Sequence, residues 1–301
     1  MYDLIVIGGG PAGLTAAIYA IRKRLDMLLI ARDLGGKTNY RLALEGVETY
    51  QVIDGREVVN KFRSEIEYLD FAHHLDSVVA VREIEGGFHV ETETGKHFEA
   101  RTLIVATGAA PQKLKVPGES RFMMRGLCYS AISFAPLFLE RPTAVIGSGK
   151  LAHRATAELA RVSNQVYLIA PEEGQLDTPL GRRIQGLSNV AILEGYRVTE
   201  IKGDTYARSV VVRKGDEERE IAVDGTFIEL DLLPRSQIVA SLVELDEQGR
   251  IKVDARNRTS KPGIFAAGDV TNVWAEQVLI AIGEGAKASL TAYEYLLEVG
   301  S

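Results

Sequence analysis

A short apolar run that stops in glycine and resumes as a helix constrains this chain more than any other feature. Leu4 to Ile7 is fully apolar and rich in β-branched residues, and it ends in Gly8-Gly9-Gly10-Pro11-Ala12-Gly13. A run with no polar alternation reads as a strand buried on both faces, the kind found in parallel sheets. Leu14, Ala17, Ile18 and Ile21 then recur at helical spacing, and Met27 to Ile30 is a second apolar strand. Strand, turn, helix and strand within about 30 residues make a βαβ unit with a right-handed crossover. Inside the turn, Gly8, Gly10 and Gly13 satisfy G-x-G-x-x-G, with Pro11 and Ala12 between the last two. The first glycine permits the tight turn, and the second lets backbone N–H groups approach a pyrophosphate. The third lets helix and strand pack closely, while the helix N-terminus adds partial positive charge. The pattern therefore points to a dinucleotide. Its acidic ribose partner belongs about 20 residues further on. Here Ala31 and Arg32 end the second strand and Asp33 is the nearest carboxylate, either that partner or a surface aspartate.

The unit recurs. Thr143 to Ile146 runs into Gly147-Ser148-Gly149-Lys150-Leu151-Ala152, followed by a helix to Val162 and a strand from Gln165 to Ile169. Gly147 lies 139 positions after Gly8, and Gly147, Gly149 and Ala152 fit G-x-G-x-x-A, the weaker form of the motif. Internal duplication of a nucleotide-binding fold follows. Between the copies, Val58, Val59, Phe62, Ile66 and Leu69 recur at helical spacing across Gly55 to Phe71. Three short alternating runs from Val78 to Ala100, broken at Gly86-Gly87 and Gly95, predict an antiparallel meander. Leu103 to Ala106 reads as a further bare strand closing on Thr107-Gly108, and Pro111 to Gly118 reads as a linker. Lys214 to Glu220 predicts a charged hairpin turn, and a helical pattern runs from Glu276 to Leu297.

Composition removes several function classes. With 35 basic against 41 acidic residues the net charge is −6, and no basic block suits a phosphate backbone, which argues against nucleic acid. The start carries no cationic segment before its apolar run, and no run reaches the roughly 18 apolar residues of a membrane span. A cytoplasmic protein is the expectation. Cys128 is the single cysteine, so the chain has no intramolecular disulfide and no dithiol pair. His73, His74, His89 and His97 fall on the expected helix and hairpin without i, i+4 pairing or a carboxylate partner; they read as solvated surface histidines, and no metal site is expected. Trp274 reads as a packed aromatic.

A third glycine segment carries a resemblance. Thr259-Ser260-Lys261-Pro262-Gly263-Ile264-Phe265-Ala266-Ala267-Gly268-Asp269, then Glu276-Gln277-Val278 and Gly283-Glu284-Gly285-Ala286, resembles the C-terminal flavin segment of the thioredoxin reductases and the flavoprotein subunit of alkyl hydroperoxide reductase. The similarity covers nearly the whole chain, from the opening motif through Gly35-Gly36, Ala106-Thr107-Gly108 and the second motif to this tail. It implies an α/β fold of two Rossmann-like, three-layer nucleotide-binding domains. The FAD domain, residues 1–114 and 237–301, would be discontinuous, with an NAD-type domain, residues 115–236, inserted. It also implies that Asp269 accepts hydrogen bonds from the FAD ribityl chain, that Gln277 and Val278 face the flavin pyrimidine, and that Val81 lines the adenine. Gly36, Lys37, Thr107, Gly108 and Gly268 join Gly8, Gly10, Pro11, Ala12, Gly13 and Asp33 as expected FAD contacts. Gly147, Gly149 and Ala152 are the expected NAD contacts, and a homodimer is the family's expectation.

The departures from that family decide the expected chemistry. Its members hold a C-x-x-C pair after the linker; here the stretch Cys128-Tyr129-Ser130-Ala131-Ile132-Ser133 places Ser130 and Ser133 at the two cysteine positions. A hydroxyl does not cycle between thiolate and disulfide, so dithiol exchange is excluded. Cys128 sits two residues away, off the face that Ser130 occupies, and reads as a buried structural thiol. Where members that use NADPH carry a His-Arg-Arg set, this chain has Ala170-Pro171-Glu172-Glu173. Two carboxylates repel a 2′-phosphate, which favours NADH over NADPH. His153-Arg154 and Asp231, the latter in place of a glycine near the nicotinamide dinucleotide, leave NADH use itself open. The expected activity is that of an FAD oxidoreductase with no catalytic side chain. It passes electrons from NADH through the flavin to a quinone, flavodoxin, ferredoxin or other external acceptor. The alternatives are a ferredoxin- or flavodoxin-linked flavin oxidoreductase that does not use NAD(P)H, and a flavin-binding sensor without turnover.

Overall fold

The computed structural model describes residues 1–47 and 55–300. Of these, residues 1–39, 55–110 and 233–300 form one compact unit, and residues 40–47 and 111–232 form a second. The chain opens with β1 (Tyr2–Ile7), α1 (Pro11–Arg22) and β2 (Met27–Ala31), then α2 (Arg56–Tyr68) and β3 (His73–Leu75). It continues through β4 (Val78–Ile84), β5 (Gly87–Thr92), β6 (His97–Val105) and β7 (Ala109–Pro111). The second unit is built from α3 (Glu119–Phe122), β8 (Leu127–Cys128), α4 (Ala131–Phe134), β9 (Pro142–Ile146), α5 (Lys150–Leu159), β10 (Gln165–Ala170) and α6 (Pro179–Gln185). It is completed by β11 (Val190–Glu194), β12 (Arg197–Gly203), β13 (Ala207–Lys214), β14 (Glu217–Ala222) and β15 (Gly225–Ile228). The chain returns through β16 (Leu232–Pro234) to β17 (Ile264–Ala266) and α7 (Val278–Glu298).

In the first unit the strands run β3-β2-β1-β6-β5-β4, with β17 also on β6. β1 is parallel to β2 and β6, and the meander β4-β5-β6 is antiparallel. The sequence separates a meander run ending at Ala100 from a strand beginning at Leu103; the fold makes them one strand. The first half of β6 pairs antiparallel with β5, and its second half pairs parallel with β1 and β17. Because side chains alternate along a strand, β1 feeds two cores. Leu4 and Val6 join Leu29, Ile104 and the helices α1, α2 and α7, while Ile5 and Ile7 join Leu28, Leu103 and the meander residues Val81, Phe88 and Val90. Leu4, Ile5, Val6 and Ile7 are each at most 2% exposed. Each such burial is worth roughly 1.5–3 kcal/mol before entropy is charged. The helix layer closes where Gly285 of α7 crosses α1, since a Cβ at Gly285 would lie 2.1 Å from the Ala12 carbonyl oxygen.

The second unit repeats this three-layer plan. Its parallel sheet runs β11-β10-β9-β15-β8, and an antiparallel sheet β12-β13-β14 supplies the other layer. Val145, Val166 and Phe227 face α5 and α6, and Ala144, Ile146 and Ile228 face Val198, Val210 and Val212. The expected charged hairpin is the β13–β14 turn at Gly215-Asp216. The periodic pattern to Val162 overshoots α5 by three residues, because the N–H of Val162 bonds Leu159 in a tighter closing turn. The C-terminal helix starts at Val278 rather than Glu276, with Gln277 in an extended N-cap conformation. His73 and His74 are not helical: they lie on β3, whose backbone completes the ladder of β2.

Asp76 locks the junction after β3. Its Oδ1 accepts the Ser77 N–H at 2.7 Å, and its other oxygen accepts the Thr94 hydroxyl from the β5–β6 turn. These donors, the Thr94 hydroxyl foremost, hold its carboxyl well below the usual carboxylate range. A folded pKa below the unfolded value of about 3.9 contributes stability that is present above that pH and lost as the pH falls below it. Asp76→Asn is therefore expected to lower the Tm at pH 7, and the gap between variant and parent is expected to narrow below about pH 4 in melting curves followed by circular dichroism.

Candidate functional site

The two glycine turns are built from equivalent parts. Gly8 donates its N–H to the Ile30 carbonyl at 2.9 Å, and Gly147 donates to Ile169 at 3.0 Å. The Ala106 N–H bonds Ile7, and the Glu229 N–H bonds Ile146. Gly8 and Gly147 have φ of +114° and +148°, and a Cβ on either would lie 2.3 Å from the Ala106 carbonyl oxygen or 2.4 Å from that of Glu229. The duplication read from the sequence is therefore a duplication of hydrogen bonds: Ile7 and Ile146, Gly8 and Gly147, and Ile30 and Ile169 repeat at the 139-residue offset, while Ala106 and Glu229 lie 123 positions apart. The third position differs. A Cβ at Gly13 would lie 1.8 Å from the Gly8 carbonyl oxygen, whereas the second unit accepts the methyl of Ala152 there, 3.0 Å from where a Gly147 Cβ would stand.

A ligand's backbone cradle is present in both turns. A Cβ at Gly10 or Gly149 would meet no protein atom within 4 Å. Each of these glycines is the N-cap of its helix, without a side-chain cap and without an acidic residue in the first turn. The leading N–H groups of α1 and α5 are thus left facing open space beside the turn, where a pyrophosphate finds donors and the positive end of a helix dipole. The residues present fit a dinucleotide at each turn.

Around the first turn the predicted residues assemble as follows. Asp33 Oδ1 accepts the Gly36 N–H at 3.0 Å, and Gly35 donates to the Gly9 carbonyl at 2.7 Å, so the loop after β2 folds onto the turn. Gly36 approaches Gly10: a Cβ there would lie 3.1 Å from the Gly10 Cα. Lys37 and Asp269 form an ion pair at 2.7 Å, bringing the loop after β2 to the loop after β17. Gly268 donates its N–H to Glu284 at 3.0 Å, and a Cβ on it would stand 3.1 Å from the Ala12 methyl. Thr107 donates its hydroxyl to the Arg235 carbonyl at 2.6 Å, and Arg235 returns its N–H to Gly108. Gln277 caps α7 and Val278 is its first residue. Val81, by contrast, is buried in the core between sheet and meander. Trp274 is 84% exposed rather than buried, on the loop that enters α7.

In the second unit, Ser148 accepts the Glu172 N–H at 2.9 Å, tying the glycine turn to the loop after β10. Glu173 pairs with Lys214 at 2.6 Å, which holds its carboxyl below the usual range. A cavity of about 300 Å³, lined by Gly174, Leu176, Asp177, Arg182, Gln185 and Glu194, opens along the same loop. Asp231 is exposed, and its carbonyl accepts the Gln112 N–H at 3.0 Å. His153 is 4% exposed with its Nε2 unpartnered, and burial pushes its pKa down, so it stands as a neutral interior ring rather than a cation at the turn.

The segment at the family's dithiol position holds no redox pair. Ser130 Oγ donates to Ser133 Oγ at 3.0 Å. Cys128 is free and fully buried on β8, and burial, with the Glu229 carboxylate nearby, pushes its thiol well up. A protonated thiol without access is inert. Sequence reading missed Glu229. Its carboxylate accepts the Ala131 N–H at 2.6 Å from 98 positions away, while its backbone flanks Gly147, a pairing that no local pattern announces.

The model of the pyridine nucleotide-disulphide oxidoreductases matches residues 2–285. The F subunit of the alkyl hydroperoxide reductase of Pseudomonas putida is 36% identical over 307 residues, across 100% of this chain and 59% of that protein. Its counterpart in Staphylococcus aureus is 34% identical, across 98% of this chain and 59% of its own length. This chain thus spans about three fifths of the curated relatives it matches. Among solved structures, a thioredoxin reductase from Streptococcus pyogenes superposes with a TM-score of 0.88 at 31% identity, covering 100% of this chain and 99% of that one. That of Lactococcus lactis superposes at 0.66 with 32% identity, covering 99% and 100%. With its paired glycine turns, its two Rossmann-like units and a serine pair where a dithiol would stand, the chain belongs to the pyridine nucleotide-disulphide oxidoreductase family.

Proposed function

We propose that this chain is an FAD-dependent oxidoreductase that takes electrons from NADH and passes them directly to an external acceptor, a quinone, flavodoxin or ferredoxin, without a protein dithiol. The observation that carries the reading is the hydrogen-bonded Ser130–Ser133 pair beside an inaccessible Cys128. Bound FAD would supply the electron-transfer chemistry, accepting hydride from a nicotinamide and releasing electrons to the acceptor. The protein's part is to bind and orient. The N–H groups of α1 and the Gly8–Gly13 turn would take the FAD pyrophosphate, Asp33 and Asp269 its hydroxyl groups, and the α7 N-terminus at Gln277-Val278 its pyrimidine.

Nucleotide choice rests on Glu172. At the offset that aligns Gly8 with Gly147, Asp33 aligns with Glu172. Glu173 is engaged by Lys214, which leaves Glu172 as the carboxylate for ribose hydroxyls and the one that repels a 2′-phosphate. A second reading, a ferredoxin- or flavodoxin-linked flavin enzyme that does not use NAD(P)H, is favoured by one observation, the exposed carboxylate of Asp231 just after β15.

An anaerobic titration with NADH separates the two. Stoichiometric loss of the flavin's visible absorption is expected, whereas an unchanged spectrum that reduced ferredoxin then bleaches would overturn the hydride reading. Glu172→Arg is expected to shift the ratio of kcat/KM for NADH over NADPH by about tenfold or more, the scale of one guanidinium–phosphate pair; Glu173→Ala should move it less. Ser130→Cys combined with Ser133→Cys is expected to close a disulfide, read by mass spectrometry with and without reductant, because the two side chains already meet in a hydrogen bond.

A further inference from the structure

The meander of the first unit carries a feature outside both glycine turns. β5 and β6 pair antiparallel so that His89 lies opposite Glu99, and Glu91 opposite His97. Along these strands Phe88, Val90, Thr92 and Ala100 point into the core, so the four polar residues share the outer face. There the sequence reading of isolated, unpartnered histidines fails. His89 Nε2 and His97 Nδ1 are 3.2 Å apart, with the rings stacked at a centroid separation of 5.2 Å. On the far side of the His89 ring, Nδ1 faces Glu99 Oε1 at 3.9 Å.

We propose that His89 and His97 are the two protein ligands of a divalent transition-metal site, with Glu99 as the outer partner that orients His89. Two imidazole nitrogens at this separation can share one cation. With metal–nitrogen bonds of about 2.0–2.1 Å the angle at the metal is roughly 100°, between the octahedral and tetrahedral values. Imidazole ligation selects zinc, nickel or copper over magnesium and calcium. The Glu99 carboxylate, 3.9 Å from Nδ1, is a charged neighbour rather than a hydrogen-bond partner, and its charge favours a proton on Nδ1 and hence Nε2 towards the metal, the side on which a carboxylate commonly stands behind a metal-bound histidine. Local charge is compatible: Glu91 and Glu99 outweigh Arg82, whose guanidinium lies 3.7 Å from Glu91 on the β4 side. Among the described residues no third His, Cys, Asp or Glu completes a larger cluster, so water fills the remaining positions and the site is open. Such a metal would clip β5 to the first half of β6.

The test is calorimetric titration of the chelator-treated, flavin-loaded protein with Zn²⁺. The parent is expected to bind one equivalent that His97→Ala loses, and Glu99→Gln is expected to keep that equivalent with an affinity about tenfold lower or worse. His74→Ala serves as the control and should bind as the parent does, while unchanged flavin content shows that each variant is folded. Equal zinc stoichiometry in the parent and His97→Ala, or loss of the equivalent in His74→Ala alone, overturns the assignment. With Cu²⁺ in place of zinc, electron paramagnetic resonance is expected to show nitrogen hyperfine coupling from two imidazoles in the parent; a spectrum unchanged by His97→Ala refutes the site.

Discussion

Everything in this chain that could hold a nucleotide depends on one close approach, that of a glycine turn to the backbone of a neighbouring strand. In the first unit Gly8 lies so near Ala106 that no side chain fits between them, and Gly13 presses the first turn of α1 onto the Gly8 carbonyl. That contact is what aims the helix N-terminus at the open space beside Gly10. Remove it, and α1 stands off by the width of a methyl, its unsatisfied N–H groups no longer converging on the place a phosphate would occupy. The second unit uses the same device in a looser form, with Glu229 in the place of Ala106 and Ala152 in the place of Gly13.

From that contact the rest is ordered by packing. β1 and β9 are flanked on both sides by parallel strands and buried on both faces, so each imposes a core on the helix side and another on the antiparallel side. α7 reaches α1 only because Gly285 lets it meet the Ala12 carbonyl, and this crossing brings Glu284 within reach of the Gly268 N–H. Asp269, next in the chain, meets Lys37 from the loop after β2, 232 positions away. A helix crossing thus shapes the expected cofactor contacts without any catalytic residue being involved.

The changes that set this chain apart from a dithiol enzyme are chemically small and mechanistically large. Two sulfur atoms become two oxygens, and the segment keeps a serine–serine hydrogen bond but loses two-electron exchange. The surviving thiol on β8 is held protonated by burial beside a carboxylate, so it does not take over. The acidic pair after β10 is likewise not a simple pair: Lys214 occupies the Glu173 carboxylate, while Glu172 is tied to the turn through its backbone N–H, which bonds the Ser148 hydroxyl.

The βαβ units, their 139-residue repeat, the meander and the missing dithiol were all legible in the order of residues, because strand alternation, helix periodicity and glycine requirements are local and survive in one dimension. Contacts between distant elements were not. The union of two expected strands into β6 is decided by which partners each half meets, and the placing of His73 and His74 on a strand by the unsatisfied edge of β2. Burial makes His153 a neutral interior ring, and packing leaves Trp274 on the surface. The hydrogen bond from Ala131 to Glu229 and the stacking of His89 on His97 follow from register and strand order, which hydrophobic patterning leaves open. The sequence by itself therefore determined that two nucleotide-type units exist and that no cysteine pair stands at Ser130 and Ser133. Only the tertiary structure decided which carboxylates, histidines and backbone donors meet, because such meetings depend on the packing of elements far apart in the chain.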